Sequence, residues 1–443
     1  MVDEKTLRDL HEKGVVSSDE NGIRVINAQK LREHPQHRVS SQDDRRQIRA
    51  QRKGEAKTLP IPKEKAEPVQ IVEEEAASKK TLLPPDLKKQ EHLSKHFEKK
   101  EFVMADADIP KGVGLDVGTS FLVAGRFGKD GKIRFKKMRD CFLELEPKSA
   151  INKKFIQKGL DDRKAPYLEK NDKFYVLGEE AFLMANERHV NTRRPMHRGV
   201  LSPAEKEAFP ILKELLSRIV GAPAVENERL VFSVPAKPID ADFDQLFHQD
   251  MLSSFLKGLG FDAHAMNEAE ALAYSELLDE GLTGVVLSAG AGMMNVAVLS
   301  AGDPVVTFST SKSGDWVDAQ AAIATNMTNS IIQQEKESPE LDLMHPEPGN
   351  QIHAAISVYY GNLLVYTLQQ IAYDLSRSPA LPKFKDPIPF VVAGGTSLPK
   401  GFLEKFEQAL GAVEMPVRIS GVRHASDPLH SVANGLVLAA TMR

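Results

Sequence analysis

G-V-V-L-S-A-G-A-G-M-M-N-V-A-V-L, residues 284–299, is the stretch whose reading decides the fold. An apolar run, residues 285–287, enters a tight turn with Gly290 and Gly292, and a second run, residues 296–299, leaves it. A strand–glycine turn–strand loop aims backbone N–H groups into one concavity, where an anion can sit. One such turn carries little information. The weight comes from a second copy. Residues 113–115 form a strand, D-V-G-T-S follows at 116–120, a strand runs over 121–126, and the turn G-K-D-G at 128–131 returns a strand over 132–138. Downstream of residue 284 the same order recurs, through the turn A-G-D-P at 301–304 and a strand over 305–308. Asp116 matches Ser288 and Gly118 matches Gly290, 172 positions apart. This is an internal duplication, and two such lobes face two phosphate-binding hairpins across one cleft.

Working outward, the spacing predicts a strand at 174–177, a short helix at 179–185, a helix over 204–220 capped by Ser202, and a buried strand at 229–236. Further helices are expected over 240–258, 267–278, from 317 to about 337, 352–375, 400–410 and 428–441, with a strand at 390–392. Alternating strands and helices argue for α/β layers. Residues 144–169 read as charged and irregular, and the basic run N-T-R-R-P-M-H-R at 191–198 reads as a solvated loop. Trp316, the single tryptophan, reads as core.

Residues 1–108 have a different texture. Between Lys30 and Lys57 there are nine Lys/Arg against four Asp/Glu, and prolines follow at 60, 62, 68, 84 and 85. Such a segment cannot bury enough apolar surface to offset its ordering entropy. It is expected to be a largely disordered arm with short pieces: a helix at 5–13, a strand at 23–26 and transient helix over 85–101. Its plain role is a solvated spacer; its functional role would be docking a protein partner or surface.

Composition bounds the rest. At 41% hydrophobic, 443 residues bury a large core. A net charge of −4 gives no bulk attraction to nucleic acid or anionic membrane, so no nucleic-acid partner is expected. Cys141 stands alone, which excludes an internal disulfide and fits a reducing compartment. There is no apolar signal core and no transmembrane segment, so the expected location is cytoplasmic.

Five motifs in order resemble those of the actin-like ATPase superfamily, which joins actin, MreB, MamK, FtsA and the nucleotide-binding part of heat-shock chaperones. G-L-D-V-G-T-S at 114–120 resembles the first phosphate motif and L-V-F-S-V-P-A at 230–236 the strand before the linking helix. N-E-A-E-A-L-A at 267–273 resembles the connecting helix, V-V-L-S-A-G-A-G at 285–292 the second phosphate motif, and V-V-A-G-G-T-S-L-P-K at 391–400 the adenosine motif. D-P-L-H-S-V-A-N-G at 427–435 resembles the bacterial filament branch.

The resemblance implies an α/β, two-lobed actin-like fold: duplicated ribonuclease-H-like domains around a central nucleotide cleft. The expected division is an arm at 1–108, lobe I at 109–283 with an outer part near 144–190, lobe II at 284–424 with a reduced outer part near 318–352, and a C-terminal helix, 425–443, packing back on lobe I. It implies ATP or ADP with Mg²⁺. Gly118, Thr119, Ser120, Ser288, Gly290, Ala291 and Gly292 would cradle phosphates, Asp116 would hold Mg²⁺ through water, and Glu268 would orient the attacking water. Gly314, Asp315, Lys336, Gly394, Gly395, Thr396 and Ser397 would form the adenosine site. On the residues alone, Asp116 also reads as a turn carboxylate and Glu268 as a helix-start acid.

Two departures matter. The family carries Asp where this chain has Ser288, Thr-Thr at Met293 and Met294, and Asp at Asn295. Losing a carboxylate about 4 Å from a cation forfeits on the order of 4 kcal/mol at an effective dielectric of about 20, an upper scale. Hydrolysis is therefore expected to be slow or absent. Second, 36 residues between Asp315 and Ile352 leave little room for an outer subdomain in lobe II. The expected function is a nucleotide-responsive cytoskeletal or scaffold protein that self-associates. The alternatives are a non-polymerising pseudo-ATPase adaptor, a chaperone-type ATPase without a peptide-binding domain, and a sugar kinase, for which the sequence offers no substrate-side base.

Overall fold

The computed structural model of the protein describes residues 16–19, 22–25, 112–242 and 245–442. The chain divides into two compact units, Met1–Lys95 and His96–Arg443. In the first, β1 (Val16–Asp19) and β2 (Gly22–Val25) form an antiparallel pair, one residue ahead of the strand expected at 23–26. The expected disordered arm and its helices at 5–13 and 85–101 lie outside the described residues.

The second unit is built on two five-stranded sheets with one topology. In the first, β3 (Val113–Val117), β4 (Phe121–Phe127) and β5 (Ile133–Arg139) form an antiparallel meander. β11 (Arg229–Val234) then pairs parallel to β3, and β12 (Asp262–Asn267) parallel to β11. The second sheet repeats this order. β13 (Gly284–Ala289), β14 (Met294–Ser300) and β15 (Asp303–Thr310) make the meander. β16 (Ile388–Ala393) pairs parallel to β13, and β17 (Ile419–His424) parallel to β16. Asp116 faces Val123 across its hairpin, and Ser288 faces Asn295 across the other. The internal duplication read from the sequence is thus a duplicated sheet, and the fold is the two-lobed α/β architecture expected.

Helices cover the sheets. α1 (Ala150–Asp162) and α2 (Gly178–Glu187) flank a small sheet of β6 (Phe142–Leu145), β7 (Tyr167–Lys170) and β8 (Lys173–Leu177). This corrects the reading of 144–169 as irregular. Of the α1 side chains only Leu160 is fully buried, so its helical period is masked by lysines. β9 (Met196–His197) and β10 (Val200–Leu201) make a short pair, followed by α3 (Ala208–Val220). α3 starts four residues later than expected. Starting at Ala208 puts Pro210 in the first turn, where no backbone donor is needed; a start at 204 would put it in the helix interior, where it lacks a donor and its ring clashes with the preceding turn.

α4 (Gln245–Gly258) precedes β12, and α5 (Glu268–Glu276) follows it. Asn267 caps α5, its Oδ1 accepting from the N–H of Ala269 and Glu270. In place of one helix over 317–337 there are two: α6 (Gly314–Thr325) ends on Asn326 in the left-handed region, and Thr328 caps α7 (Asn329–Lys336). α8 (Gln351–Arg377), α9 (Phe402–Gly411) and α10 (Ser431–Thr441) complete the chain. Among the described residues, 315–352 contain no strand, only an isolated bridge between Asp342 and Lys400.

Each sheet has its own apolar core, and a third cluster joins them. There Val231 of the first sheet and Val286, Ala297 and Val391 of the second meet Ala269 and Leu272 of α5 and Leu436 of α10. The small residues of α5 and α10 let both helices sit deep between the sheets. No helix among the described residues is long and apolar enough to cross a membrane.

Candidate functional site

The two glycine hairpins face one cavity of about 530 Å³. From lobe I it is lined by Asp116, Gly118, Thr119, Ser120 and Glu268; from lobe II by Ser288, Gly290, Ala291, Gly292, Lys336, Gly394, Gly395 and Thr396. The loops touch: Gly199 N donates to Thr119 Oγ1 at 3.0 Å, and a Cβ added at Gly292 would overlap that same hydroxyl.

Three residues expected at the adenosine site stand behind the wall instead of lining it. Gly314 N donates to Gly290 O, Asp315 N to Ala291 O, and Ser397 Oγ to Gly394 O. Thr396 Oγ1 also donates to Gly290 O, at 2.8 Å, so the adenosine motif braces the second glycine turn. Lys336 lines the cavity but spends its ammonium on Asp318, at 2.6 Å. Trp316 packs against the lobe II core, edge-on to Tyr359.

The basic run at 191–198 is not simply solvated; it crosses to lobe II. Arg194 Nη1 donates to Asp315 Oδ1 at 2.6 Å and Nη2 to Gln333 Oε1 at 2.9 Å. Thr192 N donates to Ser330 Oγ. Beside it, Arg139 holds both oxygens of Glu337, at 3.0 and 2.7 Å, a bidentate charge-assisted pair. Burial pushes the Asp315 carboxyl up, but Arg194 and Lys336 outweigh it and hold it below the usual range. Gln333 Nε2 donates to Ser120 Oγ, so this bridge reaches a candidate phosphate ligand. Gln333, Glu337 and Arg139 were missed from sequence. Arg139 and Glu337 are 198 positions apart, and no local pattern joins them.

The carboxylates carry the electrostatics. Asp116 Oδ1 accepts from Ser233 Oγ at 2.8 Å. Burial pushes its pKa up to about 6, with the Ser233 hydroxyl opposing. Glu268, at the head of α5, accepts from Ser288 Oγ at 2.6 Å on one oxygen and from Asn295 Nδ2 at 2.8 Å on the other. Burial, then the charge of Asp116, pushes its pKa up to about 8 against both donors. Both carboxylates line the cavity.

This predicts a pH dependence of the metal-free protein. A glutamate in the unfolded chain ionises near 4.5, so up to about pH 8 the folded state holds the extra proton and stability falls as pH rises. His248, pushed down to about 4 by burial, acts in the opposite sense below pH 6.5. Between pH 6.5 and 8, denaturant melts should therefore show a loss of roughly 1–2 kcal/mol that Glu268→Gln largely removes. Parallel curves for the two proteins would contradict it.

The family model described as Volactin matches residues 112–440. The chain belongs to the Volactin family. Solved structures match this chain in the actin-like fold. A MamK double helical filament matches at TM-score 0.55 and 18% identity, over 75% of this chain and 99% of that one. MreB5 of Spiroplasma citri bound to AMPPNP matches at 0.53 and 17%, over 74% and 94%. Its ADP-bound form matches at 0.51 and 18%, over the same shares. At these identities the likeness is one of fold. No curated protein sequence matches the chain.

Proposed function

We propose that the protein is a nucleotide-responsive, self-associating protein that binds ATP or ADP with Mg²⁺ in the cleft between its lobes and turns ATP over slowly or not at all. The observation that carries this reading is the pair of duplicated glycine hairpins lining one cavity with Asp116 and Glu268 between them. Gly118, Thr119 and Ser120 from one hairpin and Gly290, Ala291 and Gly292 from the other hold the phosphates. Gly394, Gly395 and Thr396 line the adenosine side, with Gly314, Asp315 and Ser397 bracing it from behind.

Mg²⁺ fits the donor set. It keeps most of its waters and takes one or two carboxylates together with substrate phosphates. Asp116 lines the cavity, and its only protein hydrogen bond among the described residues is the one from Ser233 to Oδ1, which leaves Oδ2 for a metal-bound water. Bound there, the ion would neutralise phosphate charge. Lobe I is assigned to residues 109–283 and lobe II to 284–424. The N-terminal arm, residues 1–108, is proposed to recruit a protein partner or a surface. The fold relatives support the reading by what they are: a MamK filament, and MreB5 crystallised with AMPPNP and with ADP.

Assembly is tested by ultracentrifugal pelleting of the full chain across a concentration series, with and without ATP–Mg²⁺. The reading expects a pelleting threshold that moves with nucleotide. No nucleotide-dependent pelleting at any concentration, with ATP bound, would instead favour a non-polymerising adaptor.

A further inference from the structure

The two side chains that break the family pattern, Ser288 and Asn295, meet on one carboxylate. They face each other across the β13–β14 hairpin. Each gives its hydrogen bond to a different oxygen of Glu268. The Asn295 amide is fixed in orientation by a third bond, from Ala236 N to its Oδ1 at 3.0 Å. With the oxygen spent on a backbone N–H, the Nδ2 group is the end presented to Glu268. Ala236 is itself held from the other side, its carbonyl accepting from Ser309 Oγ at 2.7 Å. Ser288 and Asn295 are both buried, 2% and 1% exposed. The arrangement is therefore a strap from the lobe I loop through β14 onto the acid that heads α5. It has no counterpart in the first hairpin, where the position opposite Asp116 is Val123.

We propose that Ser288 and Asn295 are positioning residues that restrain Glu268, and that this restraint, rather than a missing cation ligand, is what keeps ATP turnover slow. The proposal rests on the reading of the cleft as an ATP site. In hydrolysis a water oxygen bonds to the γ-phosphorus. The bond from that phosphorus to the β–γ bridging oxygen breaks, and its electron pair leaves on ADP. The proton lost by the water passes to a carboxylate oxygen, and the products are ADP and inorganic phosphate. That proton needs an oxygen within hydrogen-bond reach of the water. Here each oxygen of Glu268 already accepts from a buried donor. A carboxylate oxygen keeps a second lone pair, but the two bonds pin the carboxylate, so it cannot turn that lone pair toward the water without breaking one of them. Neither donor carries charge, so the strap withholds the base without repelling the phosphates. The cleft holds ATP intact until the strap opens.

The two explanations of slow turnover part on one residue. Ser288→Ala removes a donor and adds no charge; Ser288→Asp adds the carboxylate a cation would use. The experiment is single-turnover hydrolysis of ATP–Mg²⁺ at about pH 8.5–9, where Glu268 is ionised, by excess full-length protein, with ATP affinity and fluorescent-ATP dissociation measured on the same samples. The restraint predicts that Ser288→Ala hydrolyses faster by ~10-fold or more, part of the ~10²–10⁴-fold that a positioned acid–base group supplies. Affinity should stay within ~3-fold, since no charge changes. A gain of turnover at constant affinity is not what a merely structural defect produces. Should Ser288→Ala melt below the assay temperature, Asn295→Ala frees the other oxygen and reads the same quantity. An unchanged rate with ATP bound overturns the restraint alone, and so does a gain confined to Ser288→Asp. Failure of the wild type to bind ATP overturns the site reading and the restraint together.

Discussion

Gly435→Ala should destabilise the protein by on the order of 3 kcal/mol, although alanine is the better helix former. Gly435 lies in α10 where that helix crosses α5, and a Cβ there would overlap the carbonyl oxygen of Ala271. The overlap is with backbone, so no rotamer change relieves it and one helix must move. The same helix lies against β3. There a Cβ at Gly114 would sit 2.5 Å from both Ala433 O and Val437 N. α10 is thus seated by two glycine contacts, one on a helix and one on a strand. Moving it also breaks the cluster in which Ser426 and Ser431 donate to Glu276 at the end of α5. The expected fall in Tm is roughly 3–5 °C for a domain of this size. The control is Gly159→Ala in α1, where an added Cβ meets nothing within 4 Å and helix propensity should give roughly 0.5–1 kcal/mol of stabilisation. Equal Tm values for Gly435→Ala and wild type would contradict the packing.

Asp116→Asn should separate stability from binding. Burial has pushed the Asp116 carboxyl up to about 6, so at pH 7.5 the folded protein keeps an ionised group where a neutral one is preferred. Asparagine can still accept the Ser233 hydrogen bond, so the metal-free variant should be more stable, by roughly 1–2 kcal/mol. ATP–Mg²⁺ should bind at least ~10-fold more weakly, because the lost charge–cation attraction has an upper scale of about 4 kcal/mol at 4 Å and an effective dielectric of about 20. A variant that is both less stable and unchanged in affinity would mean that Asp116 is a structural turn acid. The opposing signs are what a functional carboxylate produces: the site keeps a buried charge that the fold alone would shed.

How far the sequence could be read follows from where the signals lie. Both hairpins were legible because glycine turns and apolar strands are local, and because they occur twice at a fixed distance. The edge strands β12 and β17 were not read, since an edge strand is paired on one side only and their buried faces are weak. Asp262 and His264 are exposed around Ala263, and β17 has no fully buried residue. α1 hid behind Lys153, Lys154 and Lys158. The helix break at Asn326 depends on one residue reaching a left-handed conformation that asparagine tolerates.

At the site, Asp116, the two glycine turns and Gly394–Thr396 were placed together by the order of their motifs. Ser288 and Asn295 stood out in the sequence only as missing acids. That both donate to Glu268, 20 and 27 positions away, follows from hairpin register and the entry angle of α5, which no spacing rule contains. The bridge of Arg194 to Asp315 and Arg139 to Glu337 is equally non-local. It also changes the meaning of a basic loop, from a solvated face to a tie between lobes.

The central claim is that the cleft between the duplicated sheets is a nucleotide site. Its most direct test is a calorimetric titration of ATP–Mg²⁺ into the full-length protein, with Asp116→Asn in parallel. The account predicts one ATP per chain, and stabilisation of about 2.7 kcal/mol at 100 times the Kd. No binding heat and no thermal shift for a folded wild type, up to millimolar ATP–Mg²⁺, would contradict it.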